Sequence, residues 1–235
     1  MREQPEQQAP PVQRLRIRYA KRGRLRFTSH RDFSRAFERA VFRARLPMAY
    51  SSGFNPHPRI SYAGAAPTGS ASEAEYLEIA LARVVDPVAV GAELQEALPP
   101  GLDVLEVVES PGGSLADRLE ASRWEIAVAT GPAAAREAVA AFLATAEVPV
   151  ERMTKKGLRS FDCRSAVINL EVVERDGGAV LDLVLRHGVP AVRPDDVLRG
   201  LGAVAGLDAG QAPLMTRLAQ GPLSPSGAVG DPLHA

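Results

Sequence analysis

Residues 14–45 have the sequence RLRIRYAKRGRLRFTSHRDFSRAFERAVFRAR, and this stretch decides the fold prediction. Its first six residues alternate arginine with apolar side chains, which predicts a β-strand with one basic face and one apolar face. Residues 21–23 can turn the chain, and the alternation then continues through Leu25 and Phe27. The start of the chain therefore predicts a two-faced strand whose apolar side packs on a core.

A helix is predicted directly afterwards, over residues 30–45. Ser29 can cap its first turn, with Asp32 completing a variant of the capping box. Apolar residues such as Phe33 and Phe37 fall on one side of this helix, where they can pack against a sheet.

Working outward from this helix, the same order of elements occurs twice. The first copy has predicted strands at residues 14–27, 59–63, 75–81 and 102–108, and helices at 30–45 and 86–98. The second copy has predicted strands at residues 124–130, 148–153, 168–174, 180–186 and 214–218, and helices at 132–146 and 194–204. It is less regular, because residues 156–166 add an excursion. The shared order is βαββαβ, which is typical of a ferredoxin-like domain.

We therefore predict an α+β fold of tandem ferredoxin-like (βαββαβ) domains with disordered termini. The predicted parts are a disordered tail at 1–12, a basic domain at 13–109, a linker at 110–122, a second domain at 123–218 and a disordered tail at 219–235. The two tails are rich in Pro, Gln, Gly and Ser, and such segments bury too little apolar surface to order themselves.

Composition limits the classes of function. The chain has 235 residues and no apolar run of the roughly 20 residues that a membrane span needs. Its first residues contain no apolar stretch typical of a secretory signal, so we expect a cytoplasmic protein. Cys163 is the only cysteine, which excludes an internal disulfide, a cysteine-based zinc site and an iron–sulfur cluster held by this chain. We expect no cofactor and no metal.

Charge is distributed unevenly along the chain. Residues 14–59 contain 13 Lys and Arg against two acids, a net charge of +11, whereas the whole chain has a net charge of zero. Such polarity predicts an anionic partner for the first half of the chain.

The first helix carries the strongest signal. Like charges at i and i+4 destabilise a helix by roughly 0.2–0.5 kcal/mol per pair, so a ladder of arginines favours a role outside the helix. The planar guanidinium suits phosphate because it can donate two hydrogen bonds at once. The ladder consists of Arg31, Arg35, Arg39 and Arg43. The alternative is a solvated face, or ion pairs with acids of the second domain.

Two more basic surfaces are predicted. Arg16, Arg18, Arg24 and Arg26 fall on the non-core face of the first strand, where an open basic sheet could hold a single-stranded RNA backbone. The alternative is cross-strand pairing with acids such as Glu78 and Glu106. In the second domain, Lys155, Lys156 and Arg159, with Arg152 and Arg164, surround Phe161, and a solvated loop is the alternative.

The loop at residues 50–59 is a further candidate. Pro56 and Pro58 stiffen it and favour extended conformations of the residues before them. A rigid loop that presents Phe54, Asn55, His57 and Arg59 suits base stacking and hydrogen bonding. The alternative is a structural loop with Phe54 in the core. His30 and His57 are also the candidates for acid–base catalysis in the alternative function of a metal-independent endoribonuclease.

Several of these segments resemble the domain-of-unknown-function family that is fused to, or encoded beside, B12-binding radical SAM proteins. The matching residues are Arg24 to Asp32, Arg35, Glu38 to Ala40, Leu46 to Ser61, Pro67 to Gly69 and Ser72 to Tyr76. Two positions depart from the common pattern, Arg31 in place of Leu and Ser52 in place of Gln. The resemblance implies association with a separate radical SAM enzyme and supplies no catalytic residues.

The leading functional hypothesis is a non-catalytic RNA-binding accessory protein, working with a radical SAM enzyme on tRNA or rRNA. One alternative is the endoribonuclease. Another is a protein–protein docking module whose arginines bind an acidic surface of the enzyme without RNA contact.

Overall fold

The computed structural model describes residues 7–154 and 157–234 of this α+β protein, which has four α-helices in that part of the chain. The chain forms two compact units. The first ends at Asp117 and also includes His234, and the second runs from Arg118 to Leu233. The described part of the chain contains no helix long and apolar enough to span a bilayer.

The first unit is an antiparallel sheet with two helices. Its elements are β1 (Gln13–Lys21), α1 (His30–Arg43), β2 (Ile60–Ala63), β3 (Ala71–Leu81), α2 (Pro87–Ala97) and β4 (Leu102–Glu109). The strands lie in the order β4-β1-β3-β2, with β1 antiparallel to both of its neighbours. Ile17, in the middle of β1, stands opposite Leu77 of β3 and Val107 of β4.

The predicted apolar faces of β1 and α1 meet in the core of this unit. Leu15, Ile17, Phe33 and Phe37 are all buried. Tyr19 stacks on Phe33 with ring centroids 4.6 Å apart. The alternation in the strand and the helical spacing in α1 therefore identified the two surfaces that pack together.

The predicted continuation of the first strand is wrong. Residues Gly23–Phe27 form a 3-10 helix instead. Gly23 has a φ of +55°, and the backbone N–H groups of Leu25 and Thr28 bond three residues back, to Arg22 and Leu25. Side chains three apart share a side in such a turn, so the alternate spacing of Leu25 and Phe27 does not form a strand face.

The second unit has the same strand order. Its elements are β5 (Ala121–Val128), α3 (Pro132–Ala144), β6 (Pro149–Thr154), β7 (Gly157–Asp162), β8 (Val167–Arg175), β9 (Gly178–Arg186), α4 (Pro194–Ala205) and β10 (Met215–Gly221). The main sheet runs β10-β5-β9-β8, and all its pairs are antiparallel. The excursion after α3 is a separate hairpin, in which β6 pairs with β7.

Residues 219–234 continue β10 and then form a bridged turn, where the sequence predicted a disordered tail. Strand β10 extends to Gly221, and Leu223 then bridges to Val229. The N–H of Gly230 donates to the carbonyl of Pro222 over 2.8 Å. Backbone hydrogen bonds of this kind can fix the position of a segment whose small residues make few apolar contacts. The structure also starts β5 at Ala121, inside the predicted linker.

Candidate functional site

Helix α1 is fixed at its start as predicted. The N–H of Asp32 donates to Ser29 Oγ over 3.2 Å, and that hydroxyl donates to Asp32 Oδ2 over 2.7 Å. Phe33, Phe37 and Val41 are buried on the inner face. The opposite face is therefore held towards solvent by the packing of the inner one.

The arginine ladder lies on that outer face. Arg31, Arg35, Arg39 and Arg43 are all exposed. The first three make neither an ion pair nor a side-chain hydrogen bond within the described residues, whereas Arg43 Nη1 donates to the carbonyl of Ala97 over 3.2 Å. Three guanidinium groups of the ladder therefore keep their hydrogen-bonding capacity for a ligand.

Phe42 was missed by the sequence analysis. Its side chain is 82% exposed. It borders a groove of about 710 Å³ that is lined by Arg35, Glu38, Arg39, Phe42, Arg43 and Arg45. The spacing of the residues predicts this exposure. Phe42 lies four residues after Glu38 and seven after Arg35, and residues at these spacings share one face of a helix, which is here the polar face.

Arg16 and Arg18 of β1 are engaged within the protein, contrary to the prediction of an open basic sheet face. Arg16 is 0% exposed. Its Nε donates to Glu78 over 3.1 Å, and Nη2 donates to the carbonyls of Gly112 and Gly113 over 2.8 and 2.9 Å. Arg18 is half-buried and donates to the carbonyl of Glu73 over 2.9 Å. The predicted alternative, cross-strand pairing with Glu78, is what the structure has.

Glu78 is the centre of this buried network. It accepts hydrogen bonds from Arg14, Arg16 and Ser110. Burial by itself would raise the pKa of this carboxyl, but the bonds from Ser110, Arg16 and Arg14 lower the pKa below its ordinary value. Glu78 is therefore held as a carboxylate that pairs with both Arg14 and Arg16.

Arg24 and Arg26 belong to the 3-10 helix rather than to β1. Arg24 is exposed. The guanidinium carbon of Arg26 lies 4.6 Å from the centroid of the Phe27 ring, which is itself exposed. Both arginines therefore precede α1 instead of extending the sheet face.

The loop between α1 and β2 presents its tip to solvent. Backbone bonds of 2.9 Å from Ser51 to the carbonyl of His57, and from Arg59 to that of Ala49, close its base. Arg59 Nε donates to the carbonyl of Tyr50 over 3.0 Å. Phe54 is 67% exposed, so the alternative that placed it in the core is wrong. Asn55 and His57 are exposed beside it.

His30 connects the loop and the helix. Its ring meets the edge of Tyr62 with centroids 5.0 Å apart. Tyr62 belongs to β2, which follows the loop directly, and burial raises the pKa of its hydroxyl to about 12. The contact sets the start of α1 beside the strand that carries the end of the loop.

His30 and His57, the predicted acid–base candidates, form no acid–base pair within the described residues. Neither the His30 nor the His57 ring bonds to a carboxylate in the ranges that the structure covers. His187 is enclosed between the carbonyl of Leu119, at 2.7 Å, and Ser122 Oγ, at 3.0 Å. Burial lowers the pKa of His187. This arrangement is that of a structural histidine.

The second basic patch is only partly a surface. Arg152 pairs with the buried Asp196 and lies 4.8 Å over the ring of Phe161. Arg159 is exposed on β7. Lys155 and Lys156 lie outside the described residues. Arg152 therefore has a structural role, and Arg159 is the exposed cation of this hairpin.

Solved structures match this chain at low sequence identity. A Cbf5–Nop10–Gar1 complex matches with a TM-score of 0.50 and 10% identity, over 93% of this chain and 55% of the matched one. The chain thus spans about half the length of that relative. An unknown protein from Galdieria sulphuraria matches with a TM-score of 0.25 and 13% identity, over 82% of this chain and 91% of that one.

The first two RRM domains of the yeast poly(U)-binding protein Pub1 match with a TM-score of 0.22 and 10% identity, over 87% of this chain and 98% of that one. No curated protein matches. The family described as "Uncharacterized protein conserved in bacteria (DUF2344)" matches residues 14–194.

Proposed function

The chain belongs to the bacterial family DUF2344, and we propose from this premise that it is a non-catalytic RNA-binding accessory protein. The RNA-binding surface is the outer face of α1 together with the loop at residues 50–59. The RNA is a tRNA or an rRNA, and the protein delivers it to a separate enzyme in the cytoplasm.

One observation carries the proposal. Arg31, Arg35 and Arg39 are exposed at four-residue spacing and lack ionic partners among the residues described. Their mutual repulsion costs helix stability, at roughly 0.2–0.5 kcal/mol per pair. Arg22 of the same unit, by contrast, is paired with Glu73 and Asp103. An anionic ligand that supplies the missing counter-charge accounts for this difference.

The loop adds groups that suit bases rather than phosphates. Phe54, Asn55 and His57 are exposed at its tip. Aromatic rings stack on unpaired bases, and side-chain amides bond to base edges. Because His30 contacts Tyr62 of β2, the start of the arginine ladder and the end of the loop belong to one neighbourhood of the unit.

Two further parts of the proposal are more specific. We take each unit as a ferredoxin-like domain, supported by its βαββαβ core and its strand order. We take the enzyme as a radical SAM protein, supported by the resemblance of residues 24–61 to the family found with such enzymes. Tagged protein purified from its native cell should carry both the radical SAM enzyme and the RNA. Crosslinking followed by sequencing would identify the RNA.

The central test is the salt dependence of RNA affinity. Changing Arg31, Arg35 and Arg39 to Gln keeps good helix propensity and removes repulsion, so the melting temperature should stay equal or rise slightly. Affinity for single-stranded RNA should fall. The slope of log affinity against log salt should shrink by about 0.7 for each lost contact, and so by about 2 in total.

A matched control removes the same charge elsewhere. Arg123, Arg136 and Arg175 are exposed arginines of the second unit, each paired with a carboxylate. Their triple Gln variant should keep the wild-type salt slope.

Equal losses of RNA affinity in both triple variants would mean unspecific attraction between the protein and RNA. An unchanged slope in the α1 variant would leave the docking module as the better account. Metal-independent cleavage that His30→Ala or His57→Ala abolishes would indicate the nuclease.

A further inference from the structure

The exposed ring of Phe42, in the groove that it shares with ladder arginines, is the part of α1 that the arginine ladder does not explain. A single exposed aromatic residue is ordinary on a protein surface. Here the ring lies in a groove of about 710 Å³ that four arginines and one glutamate line. An exposed apolar ring bordered by an excess of positive charge fits a ligand that is both flat and anionic.

A second observation comes from the end of the helix. Arg45 has a φ of +53°, in the left-handed region that favours glycine. The N–H of Leu46 reaches back to the carbonyl of Val41 over 3.2 Å, the bond of a Schellman motif, in which glycine is usual at the position of Arg45. Strained positions of this kind concentrate at functional sites. The side chain that occupies it lines the same groove as Phe42.

We infer that this groove binds one unpaired nucleotide of RNA, with its base stacked on Phe42 and its phosphates bonded to Arg39 and Arg45. This inference rests on the proposed function and makes it more specific. The base must be unpaired, because a base inside a duplex has both faces covered by its neighbours. Glu38, the one carboxylate lining the groove, repels phosphate and so favours the arginine side for the backbone.

The test compares two RNA probes in fluorescence anisotropy. One is a labelled oligouridine of about 12 nucleotides, and the other is a hairpin whose stem holds nearly all of its nucleotides in pairs. Phe42→Ala should weaken oligouridine binding about tenfold, the usual effect of removing one stacking ring. Its affinity for the hairpin should change by less than about twofold, because no stacked base is lost. Phe42→Trp keeps a stacking surface and should bind oligouridine at least as tightly as the wild type.

Arg45→Gly gives a readout that a structural role would not produce. Glycine relieves the left-handed strain, so the melting temperature should rise by about 2–4 °C. The same change removes a phosphate contact, so oligouridine binding should weaken severalfold and its salt slope should shrink by about 0.7. Stability and affinity would thus move in opposite directions.

The results separate the two levels of the proposal. If Phe42→Ala and Arg45→Gly bind oligouridine like the wild type, while the triple Gln variant of α1 loses affinity, the groove is not the nucleotide site and RNA binding stands. If the wild-type protein binds neither probe, both the groove and the RNA-binding function are overturned. Because Phe42 is 82% exposed, its replacement by Ala should leave the fold intact.

Discussion

At the scale of single residues, Arg16 shows what an alternating pattern can and cannot predict. The alternation placed it on the face opposite Leu15 and Ile17, and that face is correct. It could not show that Gly112 and Gly113, nearly a hundred positions along the chain, cover that face with their carbonyls. A basic strand face therefore predicts solvent exposure only where no distant segment packs on it.

The buried pair of Arg16 and Glu78 leads to a stability prediction. Glu78→Gln leaves a fully buried guanidinium without its charge partner, so the free energy of unfolding should fall by about 3 kcal/mol at neutral pH. Glu73→Gln is the control, because the ion pair of Glu73 with Arg22 is more exposed, and it should cost less than about 1 kcal/mol. Urea unfolding of both variants measures the difference.

The pH dependence of the same pair has a defined sign. The pKa of Glu78 is lower in the folded state than its ordinary value of 4.5. Its stabilising contribution is therefore complete above that value and is lost as the pH falls through the lower folded pKa. The stability difference between the wild type and Glu78→Gln should shrink in acid. A difference that stays constant down to about pH 3 would contradict this role of the charge.

At the scale of elements, α3 and α4 approach closely in the second unit. A Cβ added at Gly200 of α4 would lie 2.8 Å from Cys163 Sγ and 3.0 Å from atoms of Phe142 and Val148. Cys163 is fully buried, and burial raises the pKa of its thiol to about 11. The lone cysteine is thus a packing residue, as its solitary place in the sequence predicts.

Gly200→Ala tests this packing. Overpacking costs about 1–3 kcal/mol, which should outweigh the gain of up to about 1 kcal/mol in helix propensity. Gly202→Ala, on the same helix, is matched to it, since a Cβ there would meet only the carbonyl of Leu207 at an ordinary 3.5 Å, and it should be neutral or stabilising. Thermal unfolding of both variants measures the difference in stability. A stabilised Gly200→Ala variant would show that α3 and α4 can move apart without a loss of stability.

Helix α1 marks the limit of sequence prediction for an element. Its cap, its start at His30 and its buried face follow from short-range rules, and all are found. The 3-10 helix before it was missed, because residues 23–27 keep the spacing of a strand while Gly23 takes a positive φ. The exposure of Phe42 was missed, because only the arginines of the outer face were considered.

At the scale of the whole molecule, the charge asymmetry separates into two parts. Several arginines near the sheet pair with acids of the neighbouring strands, as in Arg14–Glu78 and Arg22–Asp103. The arginines on α1 have no such partners in the described sequence. The local net charge of +11 over residues 14–59 therefore overstates the basic surface and hides where it lies.

Heparin chromatography gives a prediction at this scale. The chain has a net charge of zero and a pI near 6.9, so uniform charge would give little retention at neutral pH. We expect clear retention, and elution of the Arg31, Arg35 and Arg39 triple Gln variant at lower salt. A variant with Arg14 and Arg22 changed to Gln should elute close to the wild type. Similar elution of all three proteins would contradict the localised charge.

The position of Gly112 and Gly113 has a consequence for synthesis on the ribosome. Strands β1 to β4, helices α1 and α2, and the partners that the structure describes for Arg16 lie within the first 113 residues. Translation proceeds at about 5–20 residues per second, so the roughly hundred residues that end at Gly221 take about 5–20 seconds more to emerge. The first unit can thus fold with its own counter-charges in place while the second is still being made.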